Sequence, residues 1–136
     1  MRGSKRPKKT SKYWVEPAIF DNVVSFCRCY PIWVKELQSL PDGNRAIRYD
    51  SDKVQGGEGY DATAELALKR IEIERKVNLI ITTAQTASPE LWEWILKGVT
   101  SSDYTVNELI QQGMPASVNH YANVRRYFYY LLSKRI

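Results

Sequence analysis

The stretch DYTVNELIQQGMPASVNHYANVRRYFYYLLSKRI, residues 103–136, is the part of the sequence that predicts the fold most directly. Thr105 and Glu108 have the Thr-x-x-Glu spacing of a capping box, in which each side chain accepts a hydrogen bond from an otherwise unpaired amide. This spacing predicts a short helix that begins at Val106. Gly113 fits the position just past the end of that helix, where glycine adopts a left-handed backbone at least cost.

A second, longer helix is predicted after the turn at Met114. It is opened either by Ser117 or by the Pro115-Ala116 pair, and it continues to the C-terminus. A short helix, a turn that contains glycine and a longer helix make up the helix-turn-helix pattern, whose second helix can enter the major groove of DNA. The alternative is an ordinary surface helix at the end of a small helical domain.

The second helix has an apolar and a polar side. Apolar residues at spacings of three and four predict that the inward side comprises Val118, Tyr121, Val124, Phe128, Leu131 and Leu132. Asparagine and arginine side chains can bond bidentately to base edges, and serine, tyrosine and arginine side chains can hold phosphates. The candidate DNA-binding residues are therefore Ser117, Asn119, His120, Tyr121, Asn123, Arg125 and Arg126.

Most of the positive charge lies at the N-terminus. Residues 1–12 carry six positive charges and no acid, and because the whole chain carries +5, the remainder is left at −1. Such a segment cannot fold by itself, which predicts a disordered basic arm. Its candidate phosphate contacts are Lys5, Arg6, Lys8 and Lys9. An arm of this kind adds salt-sensitive affinity and, where it enters the minor groove, A·T preference. The alternatives are a solubilising tail or a vector-encoded Met-Arg-Gly-Ser start.

Length and composition predict a single domain in a reducing compartment. The 136 residues are enough to bury a core, and no apolar run reaches the ~18 residues that a membrane span requires. No apolar signal region follows the basic N-terminus. Cys27 and Cys29 are poorly placed to bridge each other on one helix, so we expect a cytoplasmic protein without disulfides or a membrane partner.

The first half of the chain predicts helices around an irregular segment. Residues 13–40 form an aromatic-rich helical part, in which Pro17 suits the first turn of a helix that ends near Tyr30. Pro31 either breaks this helix or opens a second one. Residues 41–60 contain the turn-forming Pro-Asp-Gly-Asn sequence and a glycine-rich stretch, which predict a loop or hinge.

The remaining part, residues 61–136, begins with a long predicted helix. Asp61 can cap this helix, which covers residues 62–87 and either packs in the core or pairs with a second copy in a homodimer. Its apolar seam comprises Leu66, Ile73, Val77, Ile80 and Ala84. Ser88-Pro89-Glu90 then marks a new helix start, and Lys97-Gly98 marks the end of that helix. No strand pattern is found.

The sequence argues against catalysis. His120 is the only histidine, and a Cys-x-Cys pair without a second half makes a poor metal site. The glycines at 56, 57 and 59 lack the Gly-Lys-Ser/Thr that a phosphate-binding loop requires. We expect no catalytic residue, no metal, no cofactor and no small-molecule substrate.

Several segments, taken in order, resemble the RinA/ArpU-type phage regulators of late gene transcription. They are YPIWVKEL (30–37), AIRYD (46–50), PELWE (89–93), KGVT (97–100) and RRYFYYLLS (125–133). The family is similar to sigma-factor region 4 in its C-terminal helix-turn-helix, and this implies promoter binding with RNA polymerase contact. Carried onto this chain, the recognition helix would cover residues 117–130.

The sequence as a whole predicts an all-α single domain with a basic disordered arm and a C-terminal helix-turn-helix. The predicted function is a DNA-binding transcription activator of phage late genes, with double-stranded DNA and RNA polymerase as partners in a bacterial host. Two alternatives stay open. One is a DNA-packaging protein similar to a small terminase, and the other is a protein–protein adaptor that makes no DNA contact.

Overall fold

The computed structural model describes residues 8–9, 11–40 and 57–136. Helices are the only regular elements in these ranges, and this confirms the predicted all-α class. They are α1 (Pro17–Arg28), α2 (Tyr30–Ser39), α3 (Gly57–Ala87), α4 (Trp92–Val99), α5 (Val106–Gln111) and α6 (Val118–Ser133). Most of the predicted arm, at residues 1–7 and 10, and most of the predicted loop, at residues 41–56, lie outside the described residues.

The residues at the two ends of α1 explain where this helix begins and where it ends. Pro17 occupies the first helical position, where its missing amide hydrogen leaves no bond unmade. The chain closes the helix at Cys29, and Tyr30 opens α2, so Pro31 lies in the first turn of a second helix and does not end the first. One side of α1 is buried, and this side consists of Phe20, Val23, Val24 and Cys27.

The long helix α3 begins at Gly57, and the predicted start at Ala62 is therefore wrong. Asp61 lies within the helix and does not precede it. Glycine costs about 1 kcal/mol in a helix interior relative to alanine, and this penalty alone does not stop a helix that is otherwise well formed. The predicted apolar seam holds at Ile73, Val77, Ile80 and Ala84, whereas Leu66 is exposed.

The chain divides into two compact units, and α3 contributes residues to both. The first unit consists of Met1–Pro31 and Asn78–Ile136, and the second is Ile32–Val77. In the second unit, α2 is held to α3 by polar contacts: the Arg70 guanidinium donates to the Leu37 carbonyl oxygen, and the Lys69 ammonium lies 3.7 Å from a Glu36 carboxylate oxygen. The ammonium of Lys76 lies 5.3 Å from the ring centre of Trp33.

The first unit has a well-packed apolar core. Helix α6 contacts α1, α4 and α5, and α4 in turn contacts α1 and α5. The largest fully buried apolar side chains in this unit are Tyr121, Phe20, Phe128, Ile80, Leu91, Ile95, Leu109 and Leu132. Phe20 meets the ring of Tyr129 edge-on at 5.2 Å between ring centres, an arrangement that aromatic rings favour. The core therefore fixes α6 against three other helices.

Helix α4 starts three residues later than the Ser88-Pro89-Glu90 sequence predicts. Ser88 does accept a hydrogen bond from the Leu91 amide, as expected of a cap, but residues 89–91 form a turn and the α-helix begins at Trp92. The helix ends at Val99, one residue beyond the predicted Lys97-Gly98 end. None of the helices in the described ranges has the length and apolar character needed to cross a membrane.

Candidate nucleic-acid interface

Three local hydrogen-bonded motifs define the start of α5, its end and the start of α6. The first is the capping box: the Thr105 hydroxyl accepts from the Glu108 amide at 3.2 Å, and the Glu108 carboxylate accepts from the Thr105 amide at 2.9 Å. Helix α5 begins at Val106, as the Thr-x-x-Glu spacing predicts. This pair therefore fixes where the short helix starts.

The second motif ends α5. The amide of Gly113 donates to the Ile110 carbonyl oxygen and the amide of Met114 donates to the Leu109 carbonyl oxygen, which is the bond pattern of a Schellman motif. Gly113 has a φ of 111°, a backbone conformation that glycine adopts without steric penalty. Met114 and Leu109 are both buried, as the apolar contact of this motif requires.

The third motif caps the N-terminus of α6. Ser117 precedes the helix, and its hydroxyl oxygen accepts a hydrogen bond from the His120 amide at 3.1 Å. Of the two predicted openings, the structure therefore has the one at Ser117. Because the hydroxyl acts here only as an acceptor, its hydrogen stays available to a partner.

The outward side of α6 carries most of the predicted DNA-binding residues. Asn119, His120 and Asn123 are exposed, as is Ser117 before them, while Arg126 is half-buried. The Arg126 guanidinium donates to Asn123 Oδ1 at 2.9 Å. This bond leaves the Asn123 side-chain amide hydrogens free to donate. The first two turns of α6 therefore present a row of polar side chains to solvent.

The other two predicted DNA-binding residues lie in the core. Tyr121 is 1% exposed and Arg125 is 9% exposed. The Arg125 guanidinium lies 5.4 Å from the ring centre of Tyr121. Burial raises the pKa of the Tyr121 hydroxyl, and the positive charge of Arg125 and its hydrogen bond oppose that rise in part. Both side chains thus contribute to the packing of α6.

The predicted inward side of α6 is partly wrong. Val118 is 46% exposed, and Val124 and Leu131 are only half-buried, whereas Arg125 and Tyr129 join Tyr121, Phe128 and Leu132 in the core. The buried face is thus rotated toward the side on which Arg125 lies. Apolar spacing did not reveal this, because arginine has a long apolar stem that can be buried while its guanidinium finds a partner.

Lys97, which the sequence places at the predicted end of α4, also ties the α5–α6 turn to α4. The Lys97 ammonium donates to the Gln112 side-chain oxygen, and Gln112 is the C-cap residue that directly follows α5. The same ammonium lies 4.9 Å from the ring centre of Tyr104 and 5.8 Å from that of Trp94. A cation between two aromatic rings is held in place by both. In the sequence, Lys97 lies three residues after Trp94 and seven residues before Tyr104, and this proximity was the signal for the contact.

The described part of the predicted arm leads directly to Tyr13, which contacts α6. Lys8 and Lys9 are exposed, and the Ser11 amide donates to the Lys8 carbonyl oxygen at 2.8 Å. The ring centre of Tyr13 lies 5.1 Å from that of Tyr127 and 5.6 Å from that of Tyr130. The predicted contacts Lys5 and Arg6 lie outside the described residues.

Groups that could support other chemistry are dispersed. Within residues 8–9, 11–40 and 57–136, no three His, Cys, Asp or Glu side chains come together as metal ligands would. Cys27 is buried and Cys29 is half-buried, and neither forms a disulfide. Burial raises the pKa of the Cys27 thiol, with a smaller opposing effect from Arg28.

Comparisons of this chain with protein-family models, with curated proteins and with solved structures find no match.

Proposed function

We propose that this protein binds double-stranded DNA through α6 and acts without catalysis as a transcription regulator. The observation that carries this proposal is the exposed row of Ser117, Asn119, His120 and Asn123 on the first two turns of a helix that three other helices hold in place. Side chains at the N-terminal end of a recognition helix are the ones that reach base edges in helix-turn-helix proteins.

The electrostatic character of this region supports the same function. From Leu109 to the C-terminus the chain has no Asp or Glu and contains four Lys or Arg residues. A surface without carboxylates approaches phosphates without like-charge repulsion. Arg126, at the edge of the exposed row, is suited to a phosphate contact.

The proposal extends to phage late transcription through the resemblance to RinA/ArpU-type regulators. That resemblance rests on the ordered segments from YPIWVKEL to RRYFYYLLS. In this proposal the protein works in the cytoplasm of a bacterial host, where α6 binds a late promoter and another surface contacts RNA polymerase.

The first experiment is binding of the purified chain to fragments of its own genome at two salt concentrations, with and without residues 1–12. Selective retention of one upstream fragment at moderate salt would support a sequence-specific regulator, because non-specific binding weakens steeply with salt. Uniform binding that disappears with salt and with the arm would refute the proposal.

Variants of α6 then separate base contacts from phosphate contacts. Asn119→Ala and Asn123→Ala should each reduce affinity for the selected fragment about 5- to 150-fold and reduce affinity for other fragments little, because a bidentate base contact contributes ~1–3 kcal/mol of discrimination. Arg126→Ala should weaken binding to all fragments similarly. Asn22→Ala, an exposed asparagine on α1, is the matched control.

A protein–protein adaptor is the second candidate, and exposed apolar residues in the second unit favour it. Leu68 is 67% exposed and Ile71, one turn later on α3, is 61% exposed. An adaptor would still capture RNA polymerase after deletion of residues 1–12 and neutralisation of Arg126, and would select no DNA fragment. Light scattering after size-exclusion chromatography tests the packaging alternative, since a terminase-like ring has many subunits, whereas a regulator is a monomer or dimer.

A further inference from the structure

The N-terminal segment is attached to the same helix that carries the exposed polar row. Three rings form what we call the tyrosine cluster, and they are Tyr13, Tyr127 and Tyr130. The chain approaches this cluster through a turn in which the Trp14 amide donates to the Ser11 carbonyl oxygen at 3.1 Å and the Tyr13 amide donates to the Ser11 hydroxyl at 3.1 Å. The position of Tyr13 is therefore fixed from both its backbone and its ring.

The tyrosine cluster continues the outward side of α6 toward the C-terminus. Asn123, Tyr127 and Tyr130 are spaced by four and three residues, which places them on one face of a helix. The separation of seven positions between Asn123 and Tyr130 corresponds to about 10 Å along the helix axis. Tyr127 and Tyr130 are half-buried beneath the N-terminal segment, whereas the first two turns of α6 stay uncovered.

Two lysines lie against rings of the tyrosine cluster, and two more precede it in the sequence. The ammonium of Lys12 lies 5.1 Å from the ring centre of Tyr13, and that of Lys134 lies 5.1 Å from the ring centre of Tyr130. Lys8 and Lys9 are exposed on the turn that precedes the cluster. The first acid after the N-terminus is Glu16, and no acid follows Glu108. Four ammonium groups thus lie close in sequence or in space to one end of the exposed polar row.

We infer that these lysines form a second contact surface for the phosphate backbone of the DNA duplex that α6 reads. The lysine set is Lys8, Lys9, Lys12 and Lys134. In this arrangement Tyr13 is a positioning residue: its ring, held on Tyr127 and Tyr130, fixes the C-terminal end of the N-terminal segment beside the recognition surface. The occupant is duplex DNA because the set offers only positive charge and aromatic faces, and closely spaced phosphates complement it. The inference rests on the proposed function and adds to it a fixed place for the arm.

The test measures the affinity of the full chain for the selected duplex as a function of salt, by fluorescence anisotropy. Each phosphate contact contributes about 0.9 to the slope of log affinity against log salt, so the Lys8→Ala/Lys9→Ala double variant should lower the slope by up to about 2 and the affinity at 0.1 M salt by about 10- to 100-fold. Tyr13→Ala should lower both slope and affinity although it removes no charge. Tyr13→Phe, which keeps the ring, should bind like the unchanged protein. Lys35→Ala/Lys69→Ala, which removes two exposed lysines from α2 and α3, is the charge-matched control for the double variant.

A second measurement needs no variant. Acetylation of lysines, followed by mass spectrometry with and without the duplex, should show protection of the lysine set and none at Lys35. The inference is overturned if the lysine set reacts equally in both samples, if Tyr13→Ala binds with unchanged slope, or if Tyr13→Phe is as weak as Tyr13→Ala. In each case binding that still depends on Asn119 and Asn123 would leave the proposed function standing, whereas a chain that selects no duplex refutes both.

Discussion

The hydroxyl of Tyr121 occupies the space that a side chain at position 98 would need. A Cβ built on Gly98 collides with the Tyr121 hydroxyl and comes within 3.3 Å of the ring carbon that bears it. Tyr121 is 1% exposed and lies on α6, while Gly98 lies on α4. A single missing methyl group on one helix therefore allows α6 to approach α4 with a tyrosine between them.

Gly98→Ala should lower the free energy of unfolding, although the same change in most helix interiors raises it. Alanine is favoured over glycine in a helix by ~0.5–1 kcal/mol, whereas an extra carbon in a packed core costs ~1–3 kcal/mol. Tyr121 is enclosed by the core and cannot move aside freely. Urea denaturation should show the loss. The double variant Gly98→Ala/Tyr121→Phe should lose less than the two single variants together, and simple additivity would contradict the steric explanation.

Arg125→Ala should destabilise the protein by about 1–3 kcal/mol, because the variant loses a guanidinium contact with Tyr121 and the packing of a buried stem. Arg126→Ala, one residue away on the half-buried edge of α6, should change stability by less than about 0.5 kcal/mol. Thermal and urea unfolding of the two variants make a matched comparison. Similar losses in both would show that Arg125 does not contribute to the core.

Ser117 should contribute to stability and to DNA binding through different atoms of one hydroxyl group. Ser117→Ala removes the acceptor for the His120 amide and should cost about 1 kcal/mol. Ser117→Asp keeps an acceptor at the start of α6 and should retain stability, but its carboxylate should weaken DNA binding by repelling phosphates. Ser117→Asn keeps the cap without the charge and serves as the control. Undiminished DNA affinity in the Asp variant would place Ser117 away from the phosphates.

Cys27 should be unreactive in the folded protein. Burial raises the pKa of its thiol, so the reactive thiolate is disfavoured at neutral pH, while the half-buried Cys29 lies closer to solvent. A thiol reagent should modify one cysteine quickly and the other only when the protein unfolds, and Cys29→Ser should abolish the fast phase. The Cys27 thiol loses its proton more readily in the unfolded state than in the folded state. The free energy of unfolding should therefore decline as pH rises above about 8.5. Rapid labelling of Cys27 at pH 7 would contradict its burial.

Local chemistry made parts of this fold predictable from the sequence. Thr105, Gly113 and Ser117 each act within a few residues of their own position, and the structure confirms the helix start, the left-handed turn and the cap predicted for them. The boundaries of α3 and α4 were harder, because a helix start is decided by the sum of weak preferences along the chain. Asp61 and Ser88 are both good capping residues, yet α3 begins before Asp61 and α4 begins at Trp92.

The orientation of α6 depended on contacts distant in sequence, which a periodic pattern does not contain. Val118 is apolar and fits the inward spacing, but it lies at the first position of the helix and stays exposed. Arg125 is charged and is among the predicted DNA-binding residues, yet its guanidinium lies against the Tyr121 ring and its side chain is buried in the core. The role of Lys97 between Trp94 and Tyr104 is of the same kind. Each of these placements requires knowledge of which helices touch.

The Schellman closure at Gly113 and the Lys97 bond to Gln112 leave the α5–α6 turn with a set conformation before any partner arrives. A partner that docks here meets a surface that loses little conformational entropy on association. The heat-capacity change of binding should then correspond to the contact area alone, without the additional ~1,000–3,000 Å² of burial that accompanies coupled folding. Association of this kind is limited by diffusion and orientation, so for the proposed DNA partner electrostatic steering should raise the association rate and added salt should lower it.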